Sequence, residues 1–388
     1  MKKEWKCGDW ECGDAKYIPE YAGRRFEWAE IDPALYIKMD WDQYIKTQES
    51  QLFEKDPLYG SAELLQRGGS YVLTQETERM LKRISPVNSD PIRLDHRVIT
   101  TFDQAIAQAV ASVFLPKTVL VVKEEPFYAL LARQAWMAIR QSTWLKAEVI
   151  NVDRFILPQY GNVGVDYSEL SIGRVITDSG EPLVARPADP PLQVQLARIA
   201  QRIKMKGINN IIIVDDGFSS LEALEPYKNI ADQMGWNIVG FTVGVCPIEK
   251  GEWAKTKELA EKISGNPVSF VLPVSDIVDW TCQRDFSIFG GKMVESSSYP
   301  LSAPYFFPFS DGASGSIPKE QLLAFSKPVL QANALLIAAL NTTRSRPLTF
   351  ADALAAGYGI PTSLLGAIRT PEPNEQIGQF LEEAIQTL

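Results

Sequence analysis

The sequence predicts an α/β protein: a parallel sheet with helices on both faces, an irregular N-terminal extension before it and a helical C-terminal appendage after it. Three observations predict this. The runs Val119-Leu-Val-Val122, Asn210-Ile-Ile-Ile-Val214 and Val268-Ser-Phe-Val-Leu272 are short and apolar with little polar alternation, as strands buried on both faces are. Stretches of helical spacing separate them, such as Gln193–Lys204 and Trp253–Ile263. Strictly alternating helix and strand implies parallel neighbours joined by crossovers.

The elements follow in order. Residues 1–95 are rich in aromatic and charged side chains, among them Trp5, Trp10, Trp28, Trp41, Tyr17, Tyr21, Tyr36, Tyr44 and Tyr59. So many aromatics in a polar context point to a segment packed against a surface, either the chain's own core or a second subunit. Ala62–Ile84 shows helical patches broken at Gly68-Gly69. Thr101–Phe114 is an amphipathic helix stopped by Pro116, followed by the strand Thr118–Val122. Pro126–Arg140 reads as a helix with proline in its first turn, then Ala147–Val152 and Phe155–Leu157 as strand. Residues 158–190 read as a long loop or hairpin. After the 193–204 helix and the 210–214 strand come helix Phe218–Met234, strand Trp236–Val245, helix Trp253–Ile263 and strand Val268–Leu272. Beyond Asp285 a Ser/Pro/Gly/aromatic stretch reads as a long surface-hugging loop or, more sharply, as a lid or subunit contact. Lys319–Asn341 and Phe350–Leu388 then read as helices, with a break at Gly357–Pro361. A chain of 388 residues is long for one core, and the expected units are 1–95, 96–286 and 287–388.

Composition excludes several functions. A net charge of −9 argues against general nucleic-acid binding and against an anionic membrane surface. A single histidine, His96, cannot supply a multi-histidine metal centre, and no GxSxG elbow supports a serine hydrolase built around it. Four cysteines, Cys7, Cys12, Cys246 and Cys282, are too few and too scattered for a disulfide framework, so reduced thiols in the cytoplasm are expected. The N-terminus has no apolar signal region, and no uninterrupted apolar run of 18 residues suggests a membrane span.

The chemistry concentrates in Ile211-Ile-Ile-Val-Asp215-Asp216-Gly217-Phe218-Ser219-Ser220. A buried strand delivers two carboxylates to the carboxyl edge of a parallel sheet, where open α/β sheets bind ligands. A glycine turns the chain, and two hydroxyls sit at a helix N-terminus, whose N–H groups and dipole favour phosphate. Adjacent carboxylates suit sugar hydroxyls or hydrated Mg2+. A ligand that is both sugar and phosphate follows.

This segment resembles the phosphoribosyl pyrophosphate (PRPP) motif of the type I phosphoribosyltransferases. The resemblance implies that Asp215 and Asp216 hold ribose hydroxyls and metal, while Gly217, Phe218, Ser219 and Ser220 cradle the 5′-phosphate. Leu221 stands where the family usually has a small residue. An earlier strand-to-helix turn, Lys123-Glu124-Glu125-Pro126, corresponds in order to the pyrophosphate loop, with Lys123 as the cation; Glu124 is a less natural partner. Residues 159–189 take the place of the family's mobile loop, from which Arg174 or Arg186 could approach the diphosphate. Asp276–Phe286 takes that of the base-recognition segment, with Trp280 offering a stacking face and Arg284 and Asp285 polar contacts. The implied activity is transfer of a phosphoribosyl group to an acceptor nitrogen of a nucleobase-like molecule, with Mg2+ as cofactor. Two alternatives stand beside it: a non-catalytic PRPP- or nucleotide-sensing or interaction module on the same fold, and an unrelated carboxylate hydrolase on a doubly wound sheet. Self-association is compatible with all three.

Overall fold

In the computed structural model the described residues are 5–7, 10–12, 17–21, 24–27, 71–84, 94–114, 119–124, 127–128, 130–131, 134–135, 146–152, 167–176, 183–217, 221–248, 253–275, 278–294, 301–309, 315–360 and 369–388. In chain order, strands β1 (Trp5–Cys7) and β2 (Trp10–Cys12) pair antiparallel, as do β3 (Tyr17–Tyr21) and β4 (Arg24–Glu27). Then come β5 (Tyr71–Thr74), α1 (Thr77–Ile84), α2 (His96–Phe114), β6 (Val119–Val122), β7 (Ala147–Asn151), β8 (Tyr167–Glu169), β9 (Ile172–Ile176) and β10 (Leu183–Ala185). The series continues with α3 (Leu192–Met205), β11 (Asn210–Gly217), α4 (Glu225–Met234), β12 (Asn237–Ile248), α5 (Trp253–Ser264), β13 (Val268–Ser275) and β14 (Asp279–Cys282). Last come β15 (Lys292–Val294), β16 (Leu301–Ala303), α6 (Leu322–Thr342), α7 (Phe350–Ala355) and α8 (Ile377–Thr387).

The main sheet is wholly parallel, in the spatial order β13-β12-β11-β7-β8. Counted by appearance within the sheet, that is 2-1-3-4-5. The direction of travel reverses once, between β7 and β11, and this is the topological switch point at which open α/β sheets leave a ligand crevice. The steps β8 to β11, β11 to β12 and β12 to β13 all run the same way across the sheet. Right-handed crossovers therefore put α3, α4 and α5 on one face. Ile199 and Ile203 of α3, Ala231 of α4 and Ala260 of α5 do share one core with Ile150, Ile213, Phe241 and Val243.

A second parallel sheet, β14-β5-β6, stands beside the first. Its Tyr71, Leu73, Val119 and Val121 pack in one core with α2, α6 and α8. The expectation of a single sheet is thus corrected, since β6 belongs to the second one. Helical residues just beyond β6, at 124, 127–128, 130–131 and 134–135, carry Phe127 to Gly244 on the face of the main sheet opposite α3, α4 and α5. A small antiparallel-containing sheet, β10-β9-β15-β16, completes the fold.

Other expectations change as well. Residues 1–95 are not only an irregular extension: Tyr71–Thr74 is the central strand of the second sheet, fully buried, where helical patches were expected. The stretch 158–190, expected as loop or hairpin, holds the antiparallel hairpin β9–β10 and, in addition, the strand β8. The aromatic run after Asp285 is not surface-hugging, since Phe306 and Phe309 are completely buried and Phe309 stacks on Phe380 of α8. One core contains Tyr71, Ile99, Phe286, Phe325 and Phe380, and so crosses both expected boundaries, at 95/96 and at 286/287. By length and composition alone, Lys319–Thr342 is apolar enough to cross a membrane, although no uninterrupted apolar run of 18 residues occurs in it. Its Phe325, Val329, Leu330, Ile337 and Leu340 are buried in this core, which accounts for its hydropathy.

Candidate functional site

Strand β11 runs to Asp215, Asp216 and Gly217 at its carboxyl end, beside the end of β7 at Asn151. Side chains alternate along a strand, so the two aspartates point to opposite faces. Asp215 is in register with Val243 and shares the helix-covered face. Its Oδ2 accepts a 2.7 Å hydrogen bond from the Tyr227 hydroxyl of α4, and its Oδ1 accepts one of 2.9 Å from the Asp216 backbone N–H. Burial, reinforced by the Asp215 charge, holds the Tyr227 hydroxyl well above the usual phenol range, so it remains a proton donor.

Asp216 faces the second sheet and meets a buried polar network there. Arg284 Nη2 stands 3.9 Å from Asp216 Oδ2, and Arg284 Nε stands 2.7 Å from Glu76 Oε2. Glu76 is completely buried just beyond β5, and its Oε1 accepts hydrogen bonds from the Tyr128 hydroxyl and, at 3.2 Å, from Cys282 Sγ. Thr74 donates to Cys282 Sγ at 3.2 Å. Tyr128 lies under Arg79, whose guanidinium carbon is 3.9 Å from the ring centroid, and Arg79 pairs with Glu124. The carboxyl ends of β5, β6, β11 and β14 are thereby joined through side chains.

The network is positioned by its supports. Asp285 caps the short 3₁₀ turn Gln283–Phe286, its Oδ2 accepting from the Cys282 N–H at 3.2 Å. Asn333 of α6 ties down that turn by donating to the Phe286 carbonyl at 2.9 Å and accepting from the Ile288 N–H at 2.7 Å. Gln283 donates to the Asp103 carbonyl of α2 at 2.9 Å.

Three carboxyls in this region hold protons more tightly than usual. Burial pushes Glu124 up to about 7 despite Arg79, Asp285 up to about 6 despite Arg284, and Asp279 up to about 6 despite its hydrogen bonds with Ser316 and the Trp280 N–H. Burial and the Glu76 charge push the Cys282 thiol well above its ordinary range, so it is a packed thiol with no nucleophilic character at neutral pH.

Of the residues expected from the sequence, Asp216, Gly217, Glu124, Trp280, Arg284 and Asp285 come together here. The Trp280 ring stands beside Gly217, where a Cβ would lie 3.1 Å from Trp280 Cη2 and 2.8 Å from the Val245 carbonyl oxygen. The Trp280 Nε1–H is buried and finds no acceptor among the described residues. Lys123 and Glu124 follow β6, which belongs to the second sheet, so they do not flank β11. The strand adjoining β11 at the switch point is β7. Arg174, on β9, lies close enough to influence Tyr227 electrostatically, whereas Arg186 Nε donates to the Ile172 carbonyl at 2.8 Å. Phe218, Ser219 and Ser220 lie outside the described residues.

Sequence reasoning missed Glu76, Arg79, Tyr128, Cys282 as a network member, Tyr227 and Asn151. A signal existed for one of them: Thr74-Gln-Glu76 follows a short apolar run, the same pattern that drew attention to Asp215 and Asp216.

Glu76, Asp216 and Cys282 offer ligand atoms within 4.8 Å of one another. They do not fit Mg2+, which takes oxygen ligands in octahedral array; here one donor is a protonated thiol and the Arg284 guanidinium already stands against both carboxylates. Asp215 and Asp216 also diverge, so they cannot jointly grip one ion. No family model, curated protein or solved structure matches this chain.

Proposed function

We propose that the crevice at the ends of β7 and β11 binds a phosphorylated pentose of the PRPP kind, and that the chain transfers its phosphoribosyl group to a nucleobase-like acceptor in the cytoplasm. The observation that carries this is the placement of Asp215, Asp216 and Gly217 at the switch point of an open parallel sheet. Asp216 supplies an acceptor for sugar hydroxyls. Trp280, beside Gly217, supplies an aromatic surface and an N–H donor that has no acceptor among the described residues. In the transfer the bond from the sugar's anomeric carbon to diphosphate breaks, a bond from that carbon to an acceptor nitrogen forms, and pyrophosphate leaves. The described residues at the crevice do not fit Mg2+, so Mg2+ would enter with the diphosphate, neutralising its charge.

A second reading, a ligand-sensing module without turnover, is favoured by one feature. Asp216 and Glu76 already share the buried Arg284 guanidinium, and Glu124 is paired with Arg79. Incubation with PRPP, Mg2+ and a panel of nucleobases, with pyrophosphate followed, separates the two. Saturable PRPP binding with acceptor-dependent pyrophosphate release supports transfer. Binding without release supports sensing, and absence of binding removes both.

A further inference from the structure

Asn151 closes β7 at the switch point and is completely buried, yet neither its amide oxygen nor its amide nitrogen has a hydrogen-bond partner among the described residues. Thr242 of β12 is equally buried, and its hydroxyl is unpartnered in the same sense. Both are in register with Val214 of β11, one from each side, so the three side chains share a face of the sheet. Two residues further along β11, on that same face, stands Asp216. Asn151 and Thr242 therefore each lie one strand across and one row deeper than Asp216, about 8 Å away between Cα positions, a spacing that one sugar phosphate bridges. Their strand backbones are satisfied, since the Asn151 carbonyl accepts from the Leu170 N–H at 2.8 Å. The unmet groups are side chains alone.

A buried amide without partners costs stability, and apolar residues of similar size would fill both positions without that cost. The placement of Asn and Thr at one level of one face, at the crevice, points to a role in binding. We propose that Asn151, with Thr242, reads the hydroxyls of the sugar bound at the β7/β11 crevice. The inference rests on the phosphoribosyl reading and adds a recognition residue to it. A carboxamide suits vicinal hydroxyls because it accepts a hydrogen bond from one and donates to the other, while Asp216 can only accept.

Asn151→Leu and Thr242→Val in the full chain test this, with thermal unfolding and titration by PRPP, ribose 5-phosphate and inorganic phosphate. Without ligand, both variants are expected to unfold at or above the wild-type temperature. Both sugar phosphates are expected to bind the Asn151→Leu protein at least about tenfold more weakly, the loss of roughly one good hydrogen bond. Inorganic phosphate, which has no diol, is expected to bind equally to both proteins. A lowered unfolding temperature in both ligand-free variants would show that the two groups are structurally partnered, and would overturn the inference. So would unchanged ribose 5-phosphate affinity in Asn151→Leu, or an equal loss for inorganic phosphate; in these cases the phosphoribosyl reading survives. A wild type that responds to none of the three probes overturns both.

Discussion

The Arg284 guanidinium reaches Asp216 across the seam between two sheets, with Nη2 3.9 Å from Oδ2, while its Nε stands 2.7 Å from Glu76 Oε2. Both carboxylates are buried, and so is Arg284. A guanidinium serves here because its fixed fork carries one permanent charge to two acceptors.

Arg284→Met should therefore destabilise the protein by about 3–5 kcal/mol, because it leaves Glu76 and Asp216 buried together without their shared cation. Urea unfolding at pH 7 measures it. A loss below about 1 kcal/mol would mean that the two sheets are not joined through this residue.

The pH dependence follows from Glu124, Asp285 and Asp279, raised to about 7, 6 and 6 in the folded protein. In that state they bind protons that the unfolded chain releases near pH 4. Their contribution is thus fully present below about pH 4 and is lost as pH rises through 6 and 7. Glu124→Gln should flatten the fall between pH 5 and 7 by up to about 1.4 kcal/mol per pH unit. Identical slopes for wild type and variant would contradict the burial of that carboxyl.

Gly244 is where the main sheet lets Asp216 and Phe127 come close. A Cβ there would overlap both the Asp216 carbonyl oxygen and the Phe127 ring. Gly244→Ala should cost about 1–3 kcal/mol by overpacking, most of it at the backbone of β11, which cannot swing aside as a side chain can. Calorimetric unfolding of the variant checks this, and an unchanged midpoint would show that the contact is loose.

The main sheet was legible because its strands are long enough to declare themselves. The runs at 147–152, 210–214, 236–245 and 268–272 all correspond to its strands, and 118–122 to β6 of the second sheet. The second sheet was not. Tyr71–Thr74 is four residues long, buried on both faces and so without alternation, and its partners are Val119–Val122 and Asp279–Cys282, far away in the chain. Local pattern carries no information about such pairing. Phe306 and Phe309 were read as loop for a related reason: proline and serine around them mark irregular backbone correctly, but irregular backbone does not fix burial. At the site, Asp216 and Gly217 were found from residue pattern, and Trp280 and Arg284 from the segment order that the family resemblance implies. Their meeting place was set by Glu76 and Tyr128, which only the second sheet brings there. The opposite orientation of Asp215 and Asp216 was implicit in the strand period and sets aside a shared metal between them.

Equilibrium titration of PRPP with Mg2+ into wild type and the Asp215→Asn/Asp216→Asn double variant tests the central claim most directly. The expected result is saturable binding to wild type, accompanied by a rise of about 2.7 kcal/mol in stability at 100 times the dissociation constant, with both effects lost in a variant that remains folded. Equal binding by the two proteins would contradict a phosphoribosyl site at the end of β11.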